Sequence, residues 1–482
     1  MTDTTTSAEA PPEDERPGRL DAFFEITKRG TSWWQEVRGG LVTFVTMAYI
    51  IVLNPIILSS GKDVLHHGLN FDQVAAVTAL TAGVMTILFG LIAKLPFAFA
   101  AGLGINSFLA VSVVKDVTWP EAMGLVVIDG LIIVILSATG LRRLIFDAVP
   151  YALKISITVG IGLFIAFIGL VDAGFVRTTG DPSPPIGLGI GGSITSIPTA
   201  VFVLTLLITG ILMARKVKGA ILIGLVSGTI LAVIAQAIWH LGDQTKDPNG
   251  WNLNIPQVTN WVSLPDFGLI GQVSFDFSRV GALTAIMLVF TLVFSNFFDA
   301  MGTMTGLSKE AGLANADGTF PRLRSALIVE GVGAVAGGLT SGSSNTVFIE
   351  SGAGIGEGAR TGFANVITGV LFLLAMFFTP VAQIVPSEVA AAALVIVGAL
   401  MMSQIKSIDL TDFRVLLPVF VTVVIMPLTY SIANGIGAGF ITWVVVQAFS
   451  GKVRTISPLL WIVAAGFAIY FARGPIESLF PS

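Results

Sequence analysis

The sequence predicts an all-α membrane protein that crosses the bilayer many times. Of the 482 residues, 54% are hydrophobic and only 12% are charged, and the mean hydropathy is +0.86. Soluble domains usually carry about twice that share of charged residues. The apolar residues fall into stretches of about 20, the length that a helix needs to cross the hydrocarbon core. The basic residues lie between these stretches and favour one side of the membrane.

The apolar stretches give fourteen candidate membrane-spanning segments. Several of them are short and interrupted by glycine. A fifteenth stretch, 457–472, is shorter still, and whether it spans the membrane stays open. The fourteen lie near residues 41–59, 72–93, 97–114, 122–139, 150–170, 197–214, 219–239, 281–303, 325–340, 344–358, 361–380, 387–403, 413–430 and 432–449.

The distribution of basic residues gives the orientation of the segments. Lys and Arg favour the cytoplasmic loops of membrane proteins. With the N-terminus inside, nineteen of the 26 Lys and Arg lie on the inner side and five on the outer side. A wrong number of segments would destroy this asymmetry. We therefore expect a cytoplasmic N-terminus, and a plasma or bacterial inner membrane as the location.

Two glycine- and serine-rich stretches interrupt apolar segments at matching places. Residues 100–108 lie in the third segment and residues 341–350 in the tenth, and the offset from Asn106 to Asn345 is 239, close to half of 482. Such pairs are typical of transporters built from inverted repeats, whose substrate site lies at discontinuous helices. Unwound backbone is tolerated at membrane depth only where it is buried or lines a cavity. The alternative is close helix packing, the usual use of glycine in membrane helices.

This symmetry divides the chain into two units of seven segments each. A loop on the outer side separates the units, and polar or mixed segments flank them. The predicted parts are a cytoplasmic tail 1–38, a first unit 39–240, an outer loop 241–280, a second unit 281–450, and a C-terminal apolar segment and tail 451–482.

Four carboxylates lie inside predicted segments, where ionisable residues are costly and mark functional sites. They are Asp129, Asp299, Glu330 and Glu350, in the fourth, eighth, ninth and tenth segments. Glu350 ends the broken stretch, so we expect it to face a cavity, and Asn296 shares a helix face with Asp299. Low-dielectric surroundings favour a protonated carboxyl, so all four are candidates for carrying a proton. For Asp129 and Glu330 a bond to a neighbouring helix is the structural alternative.

The sequence lacks the residues that several classes of function need. The chain has no Cys and only three His, which fall near segment ends, and its net charge is −4. A metal centre, a cofactor site and a nucleic-acid surface are therefore not expected. No phosphate-binding loop GxxxxGK[ST] occurs, which argues against ATP-driven transport by this chain alone. An enzyme would need a catalytic pair or a metal cluster, and the sequence shows neither.

Several blocks through most of the chain after about residue 20 resemble one known family. The blocks are residues 43–51 with Asn54-Pro55, 102–106, 160–170, 297–299, 349–351, 358–362 and 426–432. In this order they resemble the adenine–guanine–hypoxanthine permeases, the AzgA-like branch of the xanthine/uracil permease superfamily.

The resemblance implies a fold of fourteen helices in two inverted seven-helix repeats. A core domain would comprise segments 1–4 and 8–11, and a gate domain segments 5–7 and 12–14, with short strands in segments 3 and 10. Proton-coupled uptake of the purine bases hypoxanthine, guanine and adenine is implied, and also a possible homodimer. The implied substrate contacts are Asn106, the pair Asn296 and Asp299, and Glu350, and Ser344 of the broken stretch completes the predicted set.

The chain departs from the family at Asn296, where the family usually has an Asp. Because an Asn side chain both donates and accepts, binding can survive this change. Substrate preference or proton coupling can change, and Asp299 could take over part of the role.

Two alternatives keep the architecture and change the function. One is a transporter of another solute, such as xanthine, uracil or an anion, although the predicted cavity is acidic and suits an anion poorly. The other is an uncoupled facilitator or a channel. A channel needs a continuous polar path or filter ring, and isolated acids suit an occluded site better.

Overall fold

The computed structural model of the protein is mostly helical. Residues 1–17 of the predicted N-terminal tail and residues 473–482 of the predicted C-terminal tail lie outside the part of the chain that it describes. The described residues are 18–141, 148–181, 183–244, 246–257, 260–315 and 319–472.

The helices follow the order of the apolar stretches. Within the described residues they are α1 Arg19–Phe24, α2 Trp33–Met47, α3 Ile50–Ser60, α4 Phe71–Ile92, α5 Leu103–Val111, α6 Trp119–Thr139, α7 Tyr151–Asp172, α8 Ile197–Ala214, α9 Ala220–Trp239, α10 Ala282–Glu310, α11 Leu323–Leu339, α12 Ser351–Gly356, α13 Gly362–Ala375, α14 Thr379–Gln383, α15 Ser387–Met402, α16 Phe413–Leu428, α17 Ile432–Gln447 and α18 Pro458–Phe471. The strands are β1 Phe99–Ala101, β2 Val176–Thr178, β3 Ile186–Leu188 and β4 Asn345–Val347.

Each predicted segment corresponds to a helix, a helix pair, or a strand followed by a short helix. The first segment is the pair α2 and α3, and the third and tenth are β1 with α5 and β4 with α12. In the described part of the chain, ten helical segments are long and apolar enough to cross a membrane by length and composition. The all-α fold with short strands in the third and tenth segments is therefore confirmed.

The helices pack in two bundles. In the first bundle α6 packs on α11, α4 on α13, and α2 on α12 and α13. In the second bundle α7 packs on α15 and α16, and α8 on α9 and α15. These groups match the core and gate domains that the resemblance implies. The boundaries 39–240 and 281–450 of the two repeats stay a prediction, and α2 begins at Trp33, before the first of them.

Glycine pairs permit the closest helix contacts in each bundle. A Cβ atom on Gly362, at the start of α13, would overlap the carbonyl oxygen of Gly90 in α4. A Cβ atom on Gly398 of α15 would overlap the carbonyl oxygen of Gly162 in α7. Without side chains at these points the backbones approach directly, as small residues allow in membrane helix interfaces. Close packing, the alternative considered for glycine, is the role of these four residues.

The broken segments meet as a two-stranded antiparallel ribbon inside the first bundle. All six residues are buried, and one strand comes from each half of the chain, as in an inverted repeat. The pairs are Phe99 with Val347, Ala100 with Thr346, and Ala101 with Asn345. A second ribbon, β2 with β3, lies in the loop between α7 and α8.

The fifteenth apolar stretch forms α18, which packs on α17 and α10. With 14 residues at about 1.5 Å per residue it is roughly 21 Å long. The hydrocarbon core is about 30 Å thick. As far as residue 472, this helix is therefore too short to cross the core by itself.

Candidate functional site

The tenth segment leaves helical geometry through residues with left-handed backbone. Ser341 and Ser343 have φ angles of 57° and 71°, a region that residues other than Gly, Asn and Asp rarely adopt. The chain then runs extended, and the Gly102 N–H donates to the Ser344 carbonyl oxygen at 2.9 Å. The ribbon thus satisfies backbone groups that no water could reach in the bilayer core.

A cavity lies between the broken segments and α15 of the second bundle. Helix α5 begins in its wall, where the first backbone N–H groups of a helix have no partner within the helix and carry the positive end of the helix dipole. The first bundle contributes to the lining Tyr49, residues 102–104, Asp299, Thr303 and residues 346–350. The second bundle contributes Val397, Leu400, Met401 and Gln404.

Glu350 is fixed at the cavity wall by Tyr49. The Tyr49 side chain is fully buried at the junction of α2 and α3, and its hydroxyl donates to Glu350 Oε1 at 2.5 Å. Glu350 is only half-buried. A carboxylate offers about four acceptor positions, so Glu350 keeps capacity to bind a ligand.

Asp299 lines the same cavity, with Thr303 one turn further along α10. The cavity therefore has two carboxylates as acceptors and the N–H groups at the start of α5 as donors. These groups can form hydrogen bonds with the edge of a planar molecule that carries both donors and acceptors. The predicted placement of Glu350 and Asp299 at one cavity agrees with this geometry, and their contact with a substrate stays a prediction.

Asn296 lies behind the cavity wall. Its side chain is fully buried, and its amide nitrogen donates to Asp129 Oδ2 at 3.1 Å and to Ser344 Oγ at 2.9 Å. It therefore links α10 to α6 and to the residue before β4. Neither Asn296 nor Ser344 belongs to the cavity lining, so direct substrate contacts of these two residues stay a prediction without geometric support in this conformation.

Asn106 is also buried and away from the lining. Its amide nitrogen donates to Asn54 Oδ1 at 2.6 Å, and the Asn54 amide nitrogen donates to Thr78 Oγ1 at 2.7 Å and to the Gly342 carbonyl oxygen at 3.0 Å. The network joins α5, α3, α4 and the unwound part of the tenth segment. In this conformation Asn106 supports the broken backbone, and its predicted substrate contact is untested.

Glu330 contacts the ribbon at Thr346. It is fully buried on α11, and its Oε1 accepts a hydrogen bond from Thr346 Oγ1 at 3.3 Å. Thr346 belongs to the cavity lining. The four predicted intramembrane acids thus form two layers: Asp299 and Glu350 at the cavity, and Asp129 and Glu330 behind its wall.

Two important polar residues were not singled out from the sequence. Tyr49 is one of only four Tyr, and a buried phenol needs a hydrogen-bond partner, which could have marked it. Glu36 is fully buried in α2 and accepts from the backbone N–H groups of Arg360 at 2.7 Å and Ala364 at 3.2 Å. It caps the start of α13. Glu36 lies near the end of a predicted segment, where a charged residue is ordinary, so the sequence did not indicate this structural role.

Two bundles with discontinuous helices and an acidic cavity between them define a multi-pass membrane transport protein. The model of one permease family, Xan_ur_permease, matches residues 34–438. The chain belongs to this family, so the family assignment from the sequence blocks is confirmed.

Similar proteins extend over nearly the whole chain. The guanine/hypoxanthine permease PbuG of Bacillus subtilis (strain 168) is 37% identical and matches over 94% of this chain and 99% of its own. The adenine permease AdeP of Escherichia coli (strain K12) is 36% identical over 94% and 96%. The transmembrane domain of the cyanobacterial bicarbonate transporter BicA superposes with a TM-score of 0.61, covering 83% of this chain and 97% of that one at 16% identity. The last match shows the fold alone.

Proposed function

We propose that the protein imports purine nucleobases, namely hypoxanthine, guanine and adenine, by proton symport across the cell membrane. Two relatives named for these bases match nearly the full chain, which supports the substrate class. The observation that carries the proposal is the placement of Glu350 at the cavity wall, hydrogen-bonded to Tyr49.

A purine base has a planar edge with N–H donors beside ring nitrogen acceptors, and hypoxanthine and guanine also carry a carbonyl acceptor. Carboxylate oxygens of Glu350 and Asp299 accept from the N–H groups. The backbone N–H groups at the start of α5 donate to the acceptors. Phe348, Leu400 and Met401 of the lining supply apolar surface for the faces of the ring. Small-molecule sites commonly combine a largely apolar lining with a few placed polar groups.

The two cavity carboxylates give a physical reason for coupling to protons. Two negative charges at one site disfavour each other's ionisation. A proton on one carboxyl lowers this cost, while the other carboxylate still accepts from the ring N–H of the base. Base and proton therefore bind together more favourably than either alone, which is the requirement for symport.

The sidedness of the cavity fits an inward-facing conformation. Gln404 of the lining lies in the turn Ser403–Ser407 after α15, beside Lys406, in a loop that the charge asymmetry places inside. The N-terminus would lie on the same side. The homodimer implied by the resemblance stays a prediction.

Uptake of radiolabelled hypoxanthine, guanine, adenine, xanthine and uracil tests the proposal in cells that lack their own permeases. Wild type, Glu350→Gln and the exposed-loop control Asp409→Asn are compared at equal surface expression. We expect saturable purine uptake by wild type and control, and its loss in Glu350→Gln. Preference for uracil, or no uptake of any base by the inserted wild type, would contradict the purine assignment. Preference for xanthine would contradict the assignment to hypoxanthine, guanine and adenine.

A further inference from the structure

Asp129 and Glu330 are brought together by the closest approach of α6 and α11. Each acid precedes a glycine, and the two glycines face each other: a Cβ atom on Gly331 would lie 2.9 Å from the carbonyl oxygen of Gly130. The helix backbones thus touch directly beside the two acids. Both side chains are fully buried.

Each of these carboxyls has one hydrogen-bonded oxygen and one without a partner. Asp129 Oδ2 accepts from Asn296 and Glu330 Oε1 accepts from Thr346. The other oxygens, Asp129 Oδ1 and Glu330 Oε2, are buried without a partner among the described residues, and so is Asn296 Oδ1. Three buried acceptor atoms in one cluster therefore lack a donor. Buried acceptors rarely stay unsatisfied, so a donor belongs there.

Positive charge does not supply that donor. No ion pair within the described residues includes Asp129 or Glu330. The titratable group of α10 that lies near Glu330 is a third acid, Asp299. The paired strands β1 and β4 contain no titratable residue. On α11 itself, Arg324 is engaged with the Ala138 carbonyl oxygen near the inner end of α6. Two isolated ionised carboxylates at this depth would be very unfavourable.

We propose that Asp129 and Glu330 form a proton-binding site that is separate from the substrate cavity and holds one proton between the two carboxyls. The proton supplies a donor between the two unpartnered carboxyl oxygens and removes one of the two negative charges. Asn296 positions the pair, because its amide nitrogen donates to the carboxylate oxygen of Asp129.

The site communicates with the cavity through Thr346. Its hydroxyl donates to Glu330, and the residue belongs to the cavity lining. A hydroxyl can accept one proton while it donates another. The Thr346 hydroxyl first turns its own proton away from Glu330 and gives it to an acceptor in the cavity, and its oxygen then accepts the proton of Glu330, so the number of protons is conserved. The role of this step in transport rests on the proton symport proposed above, whereas the protonated pair does not.

Infrared spectroscopy of the full-length protein in lipid tests the protonated pair directly. A protonated carboxyl gives a C=O stretch that is distinct from the carboxylate bands and shifts in D₂O. At neutral pH we expect this signal to lose intensity in Glu330→Gln and to change in Asp129→Asn. Asp409→Asn, which alters an exposed acid in the loop after α15, is the control and should leave this signal unchanged.

Spectra of Glu330→Gln and Asp129→Asn that equal wild type in this region would overturn the proposal. A higher melting temperature in Na⁺ than in choline, together with no protonated-carboxyl signal from the pair, would overturn it in favour of a metal cation. These outcomes do not depend on the solute that the protein carries. They therefore distinguish failure of this site from failure of the proposed function.

Proteoliposomes test the coupling role. Glu330→Gln should exchange internal for external hypoxanthine at the wild-type rate but should equilibrate hypoxanthine without concentrating it under an imposed pH gradient. Asp129→Asn alters the other carboxyl of the pair, which lies outside the cavity lining, and it should likewise exchange hypoxanthine without concentrating it. Wild-type accumulation by both variants, or loss of exchange together with accumulation in both, would contradict a separate proton site.

Discussion

Replacing Tyr49 by Phe isolates the hydrogen bond that positions Glu350. The Tyr49 ring is fully buried, and its hydroxyl donates to Glu350 Oε1 at 2.5 Å. Phe keeps the ring and its packing, so the substitution removes one hydrogen bond to a charged group. Such bonds contribute about 1.5–3 kcal/mol. Because about 1.4 kcal/mol corresponds to a tenfold change in affinity, we expect the Kd for hypoxanthine to rise by about ten- to a hundredfold.

Equilibrium binding to purified protein measures this change, with the melting temperature recorded to show that the variant is folded. Tyr151→Phe is the matched control, because Tyr151 is 57% exposed at the start of α7 and takes no part in the cavity. A folded Tyr49→Phe protein whose Kd stays within about twofold of wild type would refute the reasoning that Tyr49 positions the substrate-binding carboxylate.

Two further predictions concern packing and topology. Gly362→Ala places a methyl group against the backbone of Gly90 and should destabilise the protein by about 1–3 kcal/mol, seen as a lower melting temperature. Gly306→Ala is the control, because a Cβ atom there meets nothing within 4 Å, and it should leave the melting temperature unchanged. An equal fall in melting temperature in both variants would contradict the packing argument. Because the chain has no Cys, Ser278→Cys should react with an impermeant maleimide in intact cells and Lys406→Cys only after permeabilisation; the reverse pattern would contradict a cytoplasmic N-terminus.

The sequence predicts the elements of this fold well because the bilayer constrains them strongly. Apolar length marks most spans, and the glycine- and serine-rich stretches around Gly102 and Ser343 mark the two broken segments. Glu350 and Asp299 stand out as costly charges in apolar surroundings. These signals depend on composition along the chain, so they can be recognised without any knowledge of how the helices pack.

The position of a residue around its helix is much harder to predict. Asn296 and Asp299 share a face by spacing, yet only Asp299 belongs to the cavity lining, whereas the Asn296 side chain is bonded to Asp129 and Ser344. Asn106 lies within the broken stretch but turns toward Asn54, a partner 52 positions away. Helices that are apolar on every side give no periodic signal for the face that meets a cavity. Tyr49 escapes prediction for the same reason.

The measurement that tests the central claim most directly is proton movement driven by the base itself. Purified protein is reconstituted in proteoliposomes that contain a pH-sensitive dye, with no imposed pH gradient, and hypoxanthine is added outside. We predict acidification of the lumen that accompanies hypoxanthine uptake and is absent in Glu350→Gln. Hypoxanthine uptake by wild type without any change in internal pH would contradict proton symport and leave an uncoupled facilitator.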